Sequence, residues 1–75
     1  DLRGVLIDDA LLILDKYIDD AYLSNIHEVS IIHGKGTGAL RRAIGEYLRT
    51  NKNIDSFRLG EISEGGNGVT VITIK

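Results

Sequence analysis

The chain has no cysteine, no proline, no methionine and no tryptophan. Without cysteine there is no disulfide, no thiolate metal site and no cysteine nucleophile. Two histidines are too few to make a structural metal site by themselves. Without proline, turns must rest on glycine and asparagine. Aromatic residues supply 5% of the chain, so base stacking, the usual sequence-tolerant grip on single-stranded nucleic acid, is thinly provided for. No apolar run nears the ~20 residues that span a bilayer, and no secretory signal is visible. The lack of cysteine fits a cytoplasmic protein. The chain opens on Asp1, as expected of a fragment of a longer protein.

What remains is 75 residues, enough for a single domain over residues 1–75. A chain this short buries only roughly 60% of the surface its unfolded form exposes. Its 43% hydrophobic content must therefore do the stabilising through packing. The net charge of −2 hides a segregation. Residues 1–28 set Asp1, Asp8, Asp9, Asp15, Asp19, Asp20 and Glu28 against Arg3 and Lys16, a net −5. Residues 29–58 set Lys35, Arg41, Arg42, Arg49, Lys52 and Arg58 against Glu46 and Asp55, a net +4. A polyanion would meet the middle of the chain and be repelled by its beginning.

Spacing predicts a helix over Ile7–Leu23, with Ile7, Ala10, Leu11, Leu14, Ile18 and Ala21 as its buried stripe. Asp8 and Asp9 suit its first turn, and Ser24-Asn25 ends it. Glu28–Ile32 reads as a short strand rich in β-branched residues. A second helix is predicted over Ala39–Thr50, burying Leu40, Ala43, Ile44, Tyr47 and Leu48. Gly45 inside it marks either a close helix–sheet contact or a tolerated surface position. Ser56–Leu59 and Val69–Ile74 read as strands, joined through Gly60–Gly68 with its Asn-Gly turn signal. Asp1-Leu2-Arg3-Gly4 reads as the tail of an opening strand. The expected order is β-α-β-α-β-β, with right-handed crossovers between parallel strands.

The most informative feature is His33-Gly34-Lys35-Gly36-Thr37-Gly38, between a strand and a helix. Amides at a helix N-terminus lack partners and carry the positive end of the dipole. Glycine lets the backbone approach an anion. Lys35 in the loop and Arg41 and Arg42 in the helix add full charges. The expectation is a phosphate site formed by Gly34, Lys35, Gly36, Thr37 and Gly38 with Arg41 and Arg42. It is neither a P-loop nor the dinucleotide-binding glycine fingerprint, whose spacings differ. His33 is either an acid or base beside the phosphate or a hydrogen-bonding prop for the loop. Asp1 and Arg3 are either a surface ion pair or, with His33 and Lys35, part of a phosphodiester-cleaving constellation on one sheet edge.

Asp1-Leu2-Arg3-Gly4, the amphipathic helix, Ile31 to Arg41, Phe57-Arg58-Leu59-Gly60 and Gly65 to Val71 together resemble an Smr (small MutS-related) domain along the whole chain. The likeness is greatest to the domain that ends bacterial MutS proteins of the second type. It implies an α+β two-layer sandwich, a mixed four-stranded sheet with two helices. This fold is like the C-terminal domain of translation initiation factor three, here with its first strand largely cut away. It implies DNA or RNA binding and endonuclease activity, with Asp1, Arg3, His33 and Lys35 as catalytic candidates. Many family nucleases have histidine where Arg3 stands. The resemblance places ATP in another domain of a homodimeric parent acting in recombination suppression, DNA repair or ribosome rescue. It allows a divalent metal, magnesium or manganese, without requiring one. The alternatives are a docking module for nucleic acid without catalysis, and a protein-interaction domain using the sheet face.

Overall fold

The computed structural model describes residues 1–75. Helix α1 spans Ile7–Leu23, strand β1 Glu28–Ile32, helix α2 Ala39–Thr50, strand β2 Ile54–Leu59 and strand β3 Val69–Ile74. Both helices and β1 lie where their periodicity put them. α1 buries Ala10, Leu14, Ile18 and Ala21, residues spaced three and four apart on one face. Ile7, expected on that stripe, is 39% exposed at the helix start. The helix stops at Asn25, whose φ of 59° is left-handed, a conformation asparagine tolerates better than most residues. There the Ile26 N–H bonds to the Ala21 carbonyl at 2.9 Å and closes the last turn.

The helices cover one face of a sheet ordered β1-β3-β2. Every neighbouring pair is antiparallel. β1 and β2 therefore run the same way with β3 between them, and α2 joins them across that strand. The α+β two-layer class stands, but the sheet has three strands in place of the expected mixed four. Asp1–Gly4 forms no ladder. It adds one strand-like bond, Leu2 N–H to Ile32 O at 2.7 Å, before turning away at Gly4. A single bond fixes a position but not a register.

Placing β3 in the centre explains its burial pattern. All its residues but Thr73 are buried, whereas β1 alternates, with Val29 and Ile31 inside. Leu14, Ile18, Ile44, Leu48 and Ile72 are the large side chains fully withdrawn from water, each worth roughly 2 kcal/mol of burial. β2 begins two residues earlier than its sequence suggested and carries a register shift between Ile54 and Ser56. The connection to β3 is no tight Asn-Gly hairpin. It holds two 3₁₀ turns, Ile62–Glu64 and Gly66–Gly68, with left-handed conformations at Gly65 and Gly66.

Candidate nucleic-acid interface

The glycine loop leaves β1 and enters α2 with φ values of 79° at Gly34, 29° at Gly36 and 85° at Gly38. Left-handed residues at alternate positions turn successive amides toward one side, the concave arrangement that holds anions. A Cβ at Gly36 would meet nothing within 4 Å, so its glycine serves backbone conformation and not packing. Gly38 caps α2 without a side-chain acceptor. The Ala39 N–H reaches the Thr37 hydroxyl at 3.3 Å, and the Gly36, Leu40 and Arg41 N–H groups find no protein acceptor. The residues carrying them line a cavity of about 240 Å³, bordered also by Gly4, Val5 and Ile7. Gly4 and Val5 of the opening segment thus border the same cavity as the glycine loop, although the parallel opening strand from which a shared edge was expected does not form.

His33 borders this cavity but turns its polar atoms inward, and it is 6% exposed. Its Nδ1 lies 2.8 Å from Gly34 O, and its Nε2 lies 2.8 Å from Thr70 Oγ1. A carbonyl only accepts, so Nδ1 carries a proton; in the neutral ring Nε2 then accepts from the Thr70 hydroxyl. Both ring nitrogens are engaged. The two bonds fasten the ring to the loop at Gly34 and to β3 at Thr70. Gly68 O accepts from both the His33 and Gly34 N–H groups, each at 3.0 Å, and fastens the loop to the start of β3.

Asp1 and Arg3 form an exposed ion pair. Arg3 Nη2 donates to Asp1 Oδ2 at 2.7 Å, and the Arg3 N–H donates to Oδ1 at 3.0 Å. Arg3 reaches the loop through its stem, because a Cβ on Gly34 would come within 3.3 Å of Arg3 Cγ. Lys35 lies along the second glycine segment, with Cγ 3.4 Å from where a Gly68 Cβ would stand. Arg3, Gly34, Lys35 and Glu64 border one shallow depression. Thus Arg3 and Lys35 lie beside Gly34, Asp1 is tied to them only through Arg3 and borders the cavity of Ile13, Leu14 and Tyr17, and both ring nitrogens of His33 are hydrogen-bonded within the protein.

Charge counting missed one partner. Arg58 is clasped by Glu64, Nη1 to Oε1 at 2.7 Å and Nη2 to Oε2 at 3.0 Å. The bidentate bond to Arg58, aided by the Glu61 N–H, holds the Glu64 carboxyl down at about 2. Arg41, Arg42 and Arg49 make no ion pair. On the opposite, acidic side, the Tyr47 hydroxyl donates to Asp15. Burial, then that bond, pushes Tyr47 up to about 12, so it remains a donor. No group of three or more His, Asp or Glu side chains could hold a metal ion. Asp1 and Glu64 already serve arginines, so a divalent ion here would depend on oxygens supplied by a ligand.

The Smr domain model matches residues 1–75. The Endonuclease MutS2 of Caldanaerobacter subterraneus subsp. tengcongensis is 55% identical over 74 residues, 99% of this chain and 9% of that protein. The Endonuclease MutS2 of Geobacillus kaustophilus is 53% identical over 75 residues, all of this chain and 10% of that protein. The chain therefore spans about a tenth of the curated relatives it matches. The crystal structure of the Smr domain of Thermus thermophilus MutS2 superposes with a TM-score of 0.97 at 44% identity, covering 100% of this chain and 94% of that one. YdaL, a stand-alone small MutS-related protein from Escherichia coli, shares the fold with a TM-score of 0.93 at 19% identity, covering 99% of this chain and 61% of that one. With its whole length matched, the chain belongs to the Smr domain family.

Proposed function

We propose that this chain binds the phosphodiester backbone of DNA or RNA at the Gly34–Gly38 loop and serves as the endonuclease module of a larger MutS2-like protein. The observation that carries the reading is the loop: left-handed glycines at 34, 36 and 38, with unpartnered amides opening a helix onto a cavity. Such amides would hold non-bridging phosphate oxygens. Arg3 and Lys35 would offset the charge that builds on a pentavalent phosphate. Asp1, hydrogen-bonded to Arg3, would accept a proton from the attacking water as the P–O bond to the leaving sugar oxygen breaks, and that oxygen would take its proton from solvent. His33 acts one step back as a positioning residue, holding Gly34 through Nδ1 and Thr70 through Nε2. No step is assigned to magnesium or manganese, because this chain offers no set of carboxylates or imidazoles that would hold the ion. ATP binding, self-association and roles in repair, recombination or ribosome rescue would belong to the parent outside this chain.

The test is cleavage of supercoiled plasmid and of structured RNA, with Asp1→Asn, Lys35→Ala and His33→Ala beside the parent chain. Asp1→Asn is expected to abolish turnover while leaving affinity in place. Lys35→Ala should weaken both. His33→Ala should lower the melting temperature together with affinity, as loss of a prop does. Full cleavage by Asp1→Asn removes Asp1 from the chemistry. A second reading, docking without catalysis, is favoured by the engaged imidazole of His33. It predicts tight binding and no turnover in the parent chain.

A further inference from the structure

A second cationic cavity adjoins the loop. It is a groove of about 260 Å³ between α2 and β2, walled by Arg41, Arg42 and Arg49 on the helix and by Phe57 and Leu59 on the strand, with Thr70 buried at its end. Positions 42, 45 and 49 fall on one helix face. The middle one is Gly45, in a helix interior where alanine would be favoured. Its φ is not left-handed, and a Cβ there would lie 3.9 Å from Phe57 Cε2, an ordinary contact. Neither backbone nor packing requires glycine. What glycine supplies is open space between the arginines and the phenyl ring.

The groove walls carry both chemistries that a nucleotide needs. The Arg49 guanidinium stands 5.9 Å from the centroid of the Phe57 ring, a planar platform for a base. Arg41, Arg42 and Arg49 have no carboxylate partner. Arg58 borders the groove but is neutralised by Glu64. Its side chain belongs to the opposite sheet face, since Arg58 pairs with Val71 and Phe57 with Ile72. Arg41 lines both this groove and the glycine-loop cavity, so one cationic side chain stands between the two.

We infer that the α2–β2 groove takes one unpaired nucleotide of a single-stranded nucleic acid, its base against Arg49 and Phe57 and its phosphate between Arg41 and Arg42. A duplex cannot enter so narrow a space, and a paired base has no free face to offer. The inference rests on the glycine loop being a phosphate site, with the groove setting the preference for single strands. It makes no distinction by the sugar, because only charge and a flat ring are used.

The experiment is fluorescence anisotropy with labelled oligothymidylate, oligouridylate and a blunt duplex on the 75-residue chain. The variants are Gly45→Met, which fills the groove without removing charge, Arg49→Lys, which keeps charge but loses the plane, and Phe57→Leu. Each should weaken both single strands roughly tenfold, the cost of losing one stacked base, and leave the duplex as the parent binds it. Arg49→Lys should keep the salt dependence. Gly45→Met should melt no lower than the parent, since methionine favours a helix over glycine, so lost binding could not be blamed on unfolding. Unchanged single-strand affinity in Gly45→Met and Arg49→Lys overturns the inference, as does an equal loss for duplex and single strands. If Lys35→Ala alone weakens binding, the loop reading survives and the groove does not. If the parent binds none of the three probes, both fall.

Discussion

Two glycine-rich segments meet in this domain and use the residue for opposite ends. From Gly34–Gly38 into α2, the Gly36, Leu40 and Arg41 amides keep no protein acceptor, and a side chain at Gly36 would touch nothing. In Gly60–Gly68 the amides are spent at home. Gly60 donates to Val69, Gly65 to Ile62 and Gly66 to Glu61. A Cβ at Gly65 would come within 2.5 Å of Val69 Cγ2. The second segment is a packed support, and the first rests on it through Gly68 O and the stem of Lys35. Glycine content therefore says little about ligand binding until one knows where the N–H groups point.

The comparison breaks most sharply by adding a single methyl group to each segment. Gly65→Ala should cost roughly 3 kcal/mol or more, from a left-handed φ and an overpacked contact. In a domain this small that lowers the melting temperature by about 12 °C or more. Below its transition the variant should still bind nucleic acid. Thr70→Val removes the hydroxyl that donates to His33 Nε2 and leaves that buried nitrogen unpartnered, at a cost of about 2 kcal/mol. Thermal melts check both.

Gly36→Ala should do the reverse of Gly65→Ala. Its stability cost is about 1–2 kcal/mol, from the left-handed backbone alone. Its oligonucleotide affinity should fall roughly tenfold as the amides turn aside. Equal destabilisation by the two alanines, with no selective loss of binding, would show the segments to be alike. A finer measure is the salt dependence. Lys35→Ala should reduce the slope of log affinity against log salt by about 0.9 on duplex DNA if it contacts one phosphate. Arg58→Ala should leave that slope in place, since Glu64 already holds its charge.

The smallest effect concerns the support. The Glu64 carboxyl is held at about 2 in the folded chain, below its ordinary 4.5. A depressed carboxyl stabilises the fold above its unfolded value, and that contribution fades as pH falls toward 2. Glu64→Gln should thus melt lower than the parent at neutral pH and converge with it near pH 2. A gap that stays constant across that window excludes the ionised pair as its source.

Much of this was legible in the chain. Spacing placed α1, β1 and α2, and charge counting found the basic middle. The strand–glycine loop–helix order pointed to the segment that borders the loop cavity. The opening segment, expected as the tail of a largely cut-away strand, makes one strand-like bond from Leu2 to Ile32 and no ladder, and no local pattern reports which strand such a tail would pair with. The groove was missed because its walls, Arg42 and Phe57, come from different elements, and Gly45 read as either a close helix–sheet contact or a tolerated surface position.

Sequence alone determined the helices, the separation of charge and the conformational freedom of the His33–Gly38 segment, since each depends on residues close along the chain. Only the tertiary structure decided which way His33 faces, which arginine is neutralised and which glycine segment keeps its amides free. The partner of the imidazole lies thirty-seven residues away, across a strand pairing. Such choices follow from sheet register and side-chain packing, and neighbouring residues in a sequence do not encode them.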